Sequence, residues 1–286
     1  MSRAAAIAAP KGSGREGSDW PKHLIILAVL CIELLPFYMM LQISVKDNHA
    51  FLTNPWVPLP PGEWQLQNLV SGLKLIGPYI ANTVFVAVCA TAGSLGLALL
   101  GAYFFARYDM PFNRLLWAIF LVLMLMPGVA NIVPLFSLLK SVGLLNSLNA
   151  LILLGIAGGQ VFQVFLLRNF IEDIPKDLFE AAEIDGASHF QQLRNIVIPM
   201  SGPIIGTLAI LAFLGAWNDF MMPLIVLRDK ELFTLGVGLI YLDGEYVKKW
   251  GEIMAAYLVA SIPLILIFLF TMKLFIRGLS AGAIKG

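Results

Sequence analysis

Apolar positions in this chain run in long blocks, and the polar ones are gathered between the blocks. A hydrocarbon core of about 30 Å takes about 20 helical residues to cross. Six blocks reach that length: 24–45, 79–106, 115–139, 148–167, 203–227 and 253–276. Backbone groups in lipid must be satisfied within their own segment, so the blocks predict helices and not strands. Pro36, Pro127, Pro134, Pro223 and Pro263 fall inside them, where neighbouring helices or a cavity must accept the freed carbonyls. The expected architecture is an all-α integral membrane protein of six transmembrane helices. A polar tail over 1–23 precedes the six-span domain at 24–278, and a short tail over 279–286 follows it.

Basic residues orient the spans. With six spans both termini share a side. That side carries Arg3, Lys11, Arg15, Lys22, Arg107, Arg114, Arg168, Lys176, Arg194, Lys273, Arg277 and Lys285, twelve in all, and the other side has seven. Both termini and the loop at 168–202 are therefore expected in the cytoplasm. Residues 1–20 lack the apolar core of a cleavable signal and read as a disordered tail. Two segments on the opposite face are long. Residues 46–78 are proline-rich and favour extended backbone. Residues 228–252 carry Gly236, Gly238, Tyr241, Gly244 and Tyr246. Each reads either as a plain loop or as a surface for an outside partner.

The 168–202 loop is not a plain linker. Pro175 is placed to open a helix, which "KDLFEAAEI" continues with good helix formers. Gly186 permits a tight turn. Ser188 with Gln191 forms a Ser-x-x-Gln capping box for a second helix, and Pro199 is expected to end it. Leu178, Phe179, Ile184, Phe190, Leu193 and Ile196 supply apolar contacts, beside Glu172, Asp173, Asp177, Glu180, Glu183 and Asp185. An acidic hairpin with small residues suits a groove on a soluble partner better than an anionic lipid surface, which favours basic helices.

Composition fits this picture. The chain of 286 residues is 59% hydrophobic and 13% charged, against about 45–50% and about 25% for soluble domains. Its mean hydropathy is +0.82. A net charge of +1 offers no basic field for nucleic acid. Cys31 and Cys89 lie in apolar blocks and His23, His49 and His189 are scattered, so neither a disulfide nor a metal site is expected. There is no phosphate-loop motif and no zinc or Ser/His/Asp constellation, so no enzymatic activity and no cofactor bound by this chain are expected. Within the spans, Glu33 and Asp219 are ionisable and thereby suspect. Trp217, Asn218 and Asp219 could line a solute path or tie helices together. Glu33 could face a partner chain or a cavity.

Glu180-Ala181-Ala182, then Gly186, then Ile196-Val197-Ile198-Pro199 resembles the cytoplasmic loop of ABC importer permeases, whose pattern is Glu-Ala-Ala, three residues, Gly, nine residues, Ile-x-Leu-Pro. Ile198 is the departure. "WNDFMMPLIVL" at Trp217–Leu227, "IVPLFSLLKSVGLLNS" at Ile132–Ser147 and "FIRGLSAGAIKG" at Phe275–Gly286 look like carbohydrate-uptake permeases, in particular the shorter permease of maltose-type importers. The resemblance implies a type I importer permease fold in a bacterial inner membrane. It implies as partners a second, longer permease, two copies of a cytoplasmic ATPase that uses ATP and Mg, and an extracytoplasmic solute-binding protein that delivers a sugar. Glu180, Ala181, Ala182, Asp185 and Gly186 would then dock on an ATPase through the coupling segment 176–198. Ser280, Gly282 and Lys285 would reach between the ATPases, and 228–252 would touch the binding protein. A polyol or glycerol phosphate permease, or an ion-coupled secondary transporter, are the alternative expectations.

Overall fold

The computed structural model describes residues 20–109, 111–126, 131–244 and 248–283, the last of these as backbone alone from residue 273. Every regular element among the described residues is helical. Among the described residues three helices are long and apolar enough to cross a bilayer: α1 (Trp20–Ser44), α3 (Gln67–Arg107) and α14 (Trp250–Ala283), the last through its Trp250–Met272 part. Two bent pairs bring the number to five if each is one span. These are α6 (Leu148–Gly158) with α7 (Gln160–Glu172), bent by 42°, and His189–Met200 with α11 (Gly202–Trp217), bent by 82°. The expected block 115–139 holds two shorter apolar helices, α4 (Asn113–Leu125) and α5 (Ile132–Ser141), and its Pro127 lies outside the described residues. The expected block 203–227 is broken after Trp217 and resumes as α12 (Met221–Val226).

α3 is the spine. It runs 41 residues, about 60 Å at 1.5 Å per residue, twice a bilayer core. The apolar block at 79–106 marked only its greasy part. The helix begins twelve residues earlier because Gln67–Pro78 holds good apolar spacing despite Asn68 and Lys74, and Pro78 is absorbed without a break. α6, α7, α11 and α14 all pack on α3. Small residues make that possible. A Cβ added to Gly155 of α6 would sit 2.7 Å from the Ala90 Cβ, and Ala87, Ala98 and Ala102 are fully buried.

At the first end of α3 the chain is stapled by side chains. Lys46 is fully buried, and its ammonium donates to the carbonyls of Asn54 (2.8 Å), Pro55 (3.1 Å) and Val57 (2.7 Å). Burial lowers its pKa from the ordinary lysine value, while the three oxygens favour the charged form. This one side chain organises the proline-rich segment, including α2 (Asn48–Thr53), whose cap Asp47 accepts from Ala50 N–H. Asn68 joins α3 to the end of α1 through the carbonyls of Ser44 and Lys46. Asn48 ties the segment to α14, donating to Lys248 and accepting from Trp250 N–H.

At the other end of α3 stands the polar hairpin. α8 covers Lys176–Ile184, the residues expected. Its partner starts at His189 behind the expected capping box. Pro199 does not end this second helix as expected. The chain stays helical to Met200, because a π-helical turn over Leu193–Val197 widens the coil ahead of the proline, which lacks an N–H and would clash with the carbonyl one turn back. The break comes at Ser201, where the chain turns into α11.

Candidate functional site

Two features beyond ordinary packing stand out: the hairpin, and a cavity inside the bundle. The hairpin turn is built on Gly186, whose φ of 76° is left-handed and open to glycine without strain. Its N–H donates to Glu183 (3.0 Å) and that of Ala187 to Ala182 (2.8 Å). This paired arrangement closes a helix and satisfies its last carbonyls. Ser188 Oγ then accepts from Gln191 N–H while Gln191 Oε1 accepts from Ser188 N–H, so the next helix begins capped.

The hairpin is seated firmly. Phe179 is fully buried among Ala98, Ala102, Tyr103, Leu167, Ile171 and Val197. The Arg107 guanidinium lies 3.9 Å from the centre of its ring, an attractive cation–π contact. Tyr103 Oη donates to Gln192 Oε1 at 2.8 Å, with both groups buried. Tyr108 Oη meets His189 Nδ1 at 2.5 Å. Each clasp joins the end of α3 to one arm of the hairpin.

The outer face is bare. Glu180, Ala181, Asp185 and Gly186 are exposed and Ala182 is half-buried, so four of the five loop residues picked out in the sequence are accessible, on α8 and in the turn that follows it. Beside them Ile184 is 88% and Phe190 67% exposed.

The second feature is a cavity of about 460 Å³ between α3, α6, α7, α11 and α12. Thr83, Thr91, Ser94, Gln163, Asp219 and Thr234 give its polar lining. Ser94 Oγ donates to Gln163 Oε1 at 2.6 Å. Thr91 Oγ1 and Thr234 Oγ1 are buried without a hydrogen-bond partner. Asp219 lines the cavity and also caps α12, accepting from Met222 N–H at 3.3 Å. The structure separates it from its two neighbours in sequence. Trp217 is buried in another cluster with Ile76, Leu235 and Ala256, stacked on Phe213, and Asn218 donates back to Leu214 within its own helix.

The third group of expected residues is only partly visible. Ser280 and Gly282 fall on the backbone-only end of α14, which stays helical to Ala283 where a loose tail was expected, and Lys285 lies outside the described residues. Tyr246 of the 228–252 segment is outside them too. No cluster of His, Cys, Asp and Glu able to hold a metal occurs among the described residues. Sequence reasoning missed Tyr103 and Arg107 of α3 and Gln192 of the hairpin, which meet only in the fold and carry no local signal. It also missed Ser94 and Gln163, whose polarity inside apolar blocks was a signal available to read.

A family model described as "Binding-protein-dependent transport system inner membrane component" matches residues 94–281, a stretch that holds the last turns of α3, the hairpin, α6, α7, α11, α12 and nearly all of α14. The chain belongs to this transport permease family. Among its relatives is the trehalose/maltose transport system permease protein of Thermococcus litoralis, 32% identical over 265 residues, 92% of this chain and 94% of that one. A probable ABC transporter permease of Pyrococcus horikoshii is 32% identical over 267 residues, 92% and 96% of the two chains. A bacterial ABC transporter that imports alginate contains a chain of the same fold, with a TM-score of 0.76 at 24% identity, covering 90% of this permease and 97% of its counterpart. The family is one of membrane transport components and not a class of enzymes, which agrees with the run of apolar helices in this permease.

Proposed function

We propose that this chain is a permease subunit of an ATP-driven importer for a sugar or oligosaccharide, and that the hairpin at 176–198 couples it to a cytoplasmic ATPase. The observation that carries the reading is the hairpin's two-sidedness: Phe179 is locked under Arg107, while Glu180, Ala181 and Gly186 face outward. Such a piece passes force from whatever grips its outer edge into α3. Relatives named for trehalose and maltose, for melibiose, raffinose and stachyose, and for arabinooligosaccharides support the solute class. In this reading there are six spans, with α4 and α5 together forming one and α11 and α12 another, and both termini lie in the cytoplasm. The 82° bend at Ser201 lays His189–Met200 along the membrane surface and is not a kink within a span. A second permease, two ATPases and an external binding protein complete the machine.

The hairpin's location is tested with cysteine at Ala181. In membranes holding the assembled transporter, a short bismaleimide is expected to join Ala181→Cys to the ATP-hydrolysing subunit. Labelling of the same cysteine by an impermeant maleimide added from outside intact cells refutes the reading.

Within the bundle, we assign the cavity with Asp219 to the solute path, since hydroxyl and carboxylate groups suit a sugar's hydroxyls. Asp219→Asn retains the cap on Met222 but removes the charge. Hydrogen bonds to charged groups exceed neutral ones by about 1 kcal/mol, so the solute concentration for half-maximal uptake is expected to rise about fivefold. An unchanged value removes Asp219 from the path.

A further inference from the structure

The wall of the cavity carries a sign. Among the described residues that line it, Asp219 is the one ionisable side chain, and there is no base and no aromatic ring. The surrounding helices explain why. α3, α6, α7, α11 and α12 hold three bases between them, Lys74, Arg107 and Arg168. Lys74 and Arg107 stand 17 and 16 residues from Thr91 along α3, about 25 Å away towards either end of the rod, and Arg107 is held over Phe179. Arg168 lies 4.4 Å from the centre of the Trp117 ring and pairs with Glu172. Lys140 is exposed at the end of α5. Lys230 lies over the Tyr241 ring at 4.4 Å.

What the wall offers instead is neutral hydrogen bonding. Thr91 Oγ1 and Thr234 Oγ1 are buried and have no partner among the described residues, and Thr234 as a whole is 4% exposed. An unpaired buried hydroxyl is costly, so both are poised for a hydroxyl or a water that enters the cavity. Gln163 joins them. A Cβ at Gly159 would stand 2.8 Å from its Nε2, so the bare glycine leaves room beside the amide. Hydroxyls and amides both donate and accept, which matches a solute whose own polar groups are hydroxyls. A carboxylate or phosphate on the solute calls for charged donors. It would find none here, and it would meet the carboxylate of Asp219 between apolar helices, where like charges repel more strongly than in water.

We propose that the cavity selects by charge: it passes uncharged, hydroxyl-rich solutes and excludes sugar acids and sugar phosphates, with Asp219 as the barrier to anions. The glycerol phosphate alternative is thereby set aside. This rests on the assignment of the cavity to the solute path and adds which sugars can use it.

The test uses the whole transporter turning over ATP in its membrane. Cys31→Ala and Cys89→Ala leave Thr91→Cys as the only thiol of this chain. Thr91 Oγ1 has no hydrogen bond to lose and cysteine is of similar size, so the fold is retained; Thr234→Cys provides a second position. Three methanethiosulfonate reagents are compared, one uncharged, one bearing a quaternary ammonium and one bearing a sulfonate. Each rate is read by mass spectrometry on this chain's peptide and divided by the rate with free 2-mercaptoethanol. The sulfonate is expected to react at least about tenfold more slowly than the other two, and Asp219→Asn is expected to remove the difference. Equal rates for all three overturn the proposal and leave the cavity on the solute path. Equal slowing of both charged reagents overturns it too, as does a slow sulfonate reaction that survives Asp219→Asn. If none of the three reacts at either position, solution does not reach the cavity, the solute-path assignment fails and this inference falls with it.

Discussion

Gly186→Pro is expected to reduce ATP-driven uptake to background while the chain still inserts and ATP is still hydrolysed. The backbone at Gly186 has φ of 76°, whereas proline is held near −65°. Any L-residue in the left-handed region costs about 1–2 kcal/mol; proline cannot adopt it and must also forfeit the N–H that bonds to Glu183. The turn then opens, the bond from Ala187 to Ala182 is lost with it, and the angle between α8 and the helix that follows is no longer held. The apolar spans do not depend on that turn, so insertion survives. The measurement is uptake and hydrolysis in the same proteoliposomes. Normal uptake by the variant would show that the hairpin is not the coupling element.

Phe179→Ala should give the same separation of hydrolysis from uptake by a different route. Burying a phenylalanine and then removing it costs about 3–5 kcal/mol, and here the contact with Arg107 goes as well. The outer edge with Glu180 and Ala181 is untouched, so the variant should still be cross-linked to the ATPase from position 181. What it loses is the firm seat on α3. The expected signature is therefore docking retained, hydrolysis retained and uptake reduced at least tenfold. Phe179→Leu, which keeps most of the volume, is expected to recover much of the uptake. Loss of cross-linking together with uptake would show that Phe179 merely holds α8 folded.

These two residues illustrate what could be read before the structure. Gly186, Ser188 and Gln191 act within a few residues of one another, so spacing alone revealed the turn, the cap and the start of the second helix. Phe179 looked like one of six equivalent apolar residues. Its fate was decided by Arg107 and Tyr103, which arrive from a helix some seventy positions earlier in the chain. The same holds for the apolar blocks. Hydropathy located the membrane-crossing mass of α3 but not its full length, because the first turns carry Asn68 and Lys74 and are held by packing on Ala255 and Ala256. It read 203–227 as one span and missed the interruption after Trp217, where Asp219 caps a new helix. Asp219 was legible as an ionisable group in an apolar block, but its separation from Trp217 depended on which way each side chain turned.

The length of α3 has a mechanical consequence. The rod reaches from the Lys46 staple to the seat of Phe179, and a tilt of about 5° about its middle carries its two tips about 3 Å in opposite directions. Under the coupling proposed for the hairpin, a push at its end of α3 would displace the far end the opposite way, with no helix needing to bend.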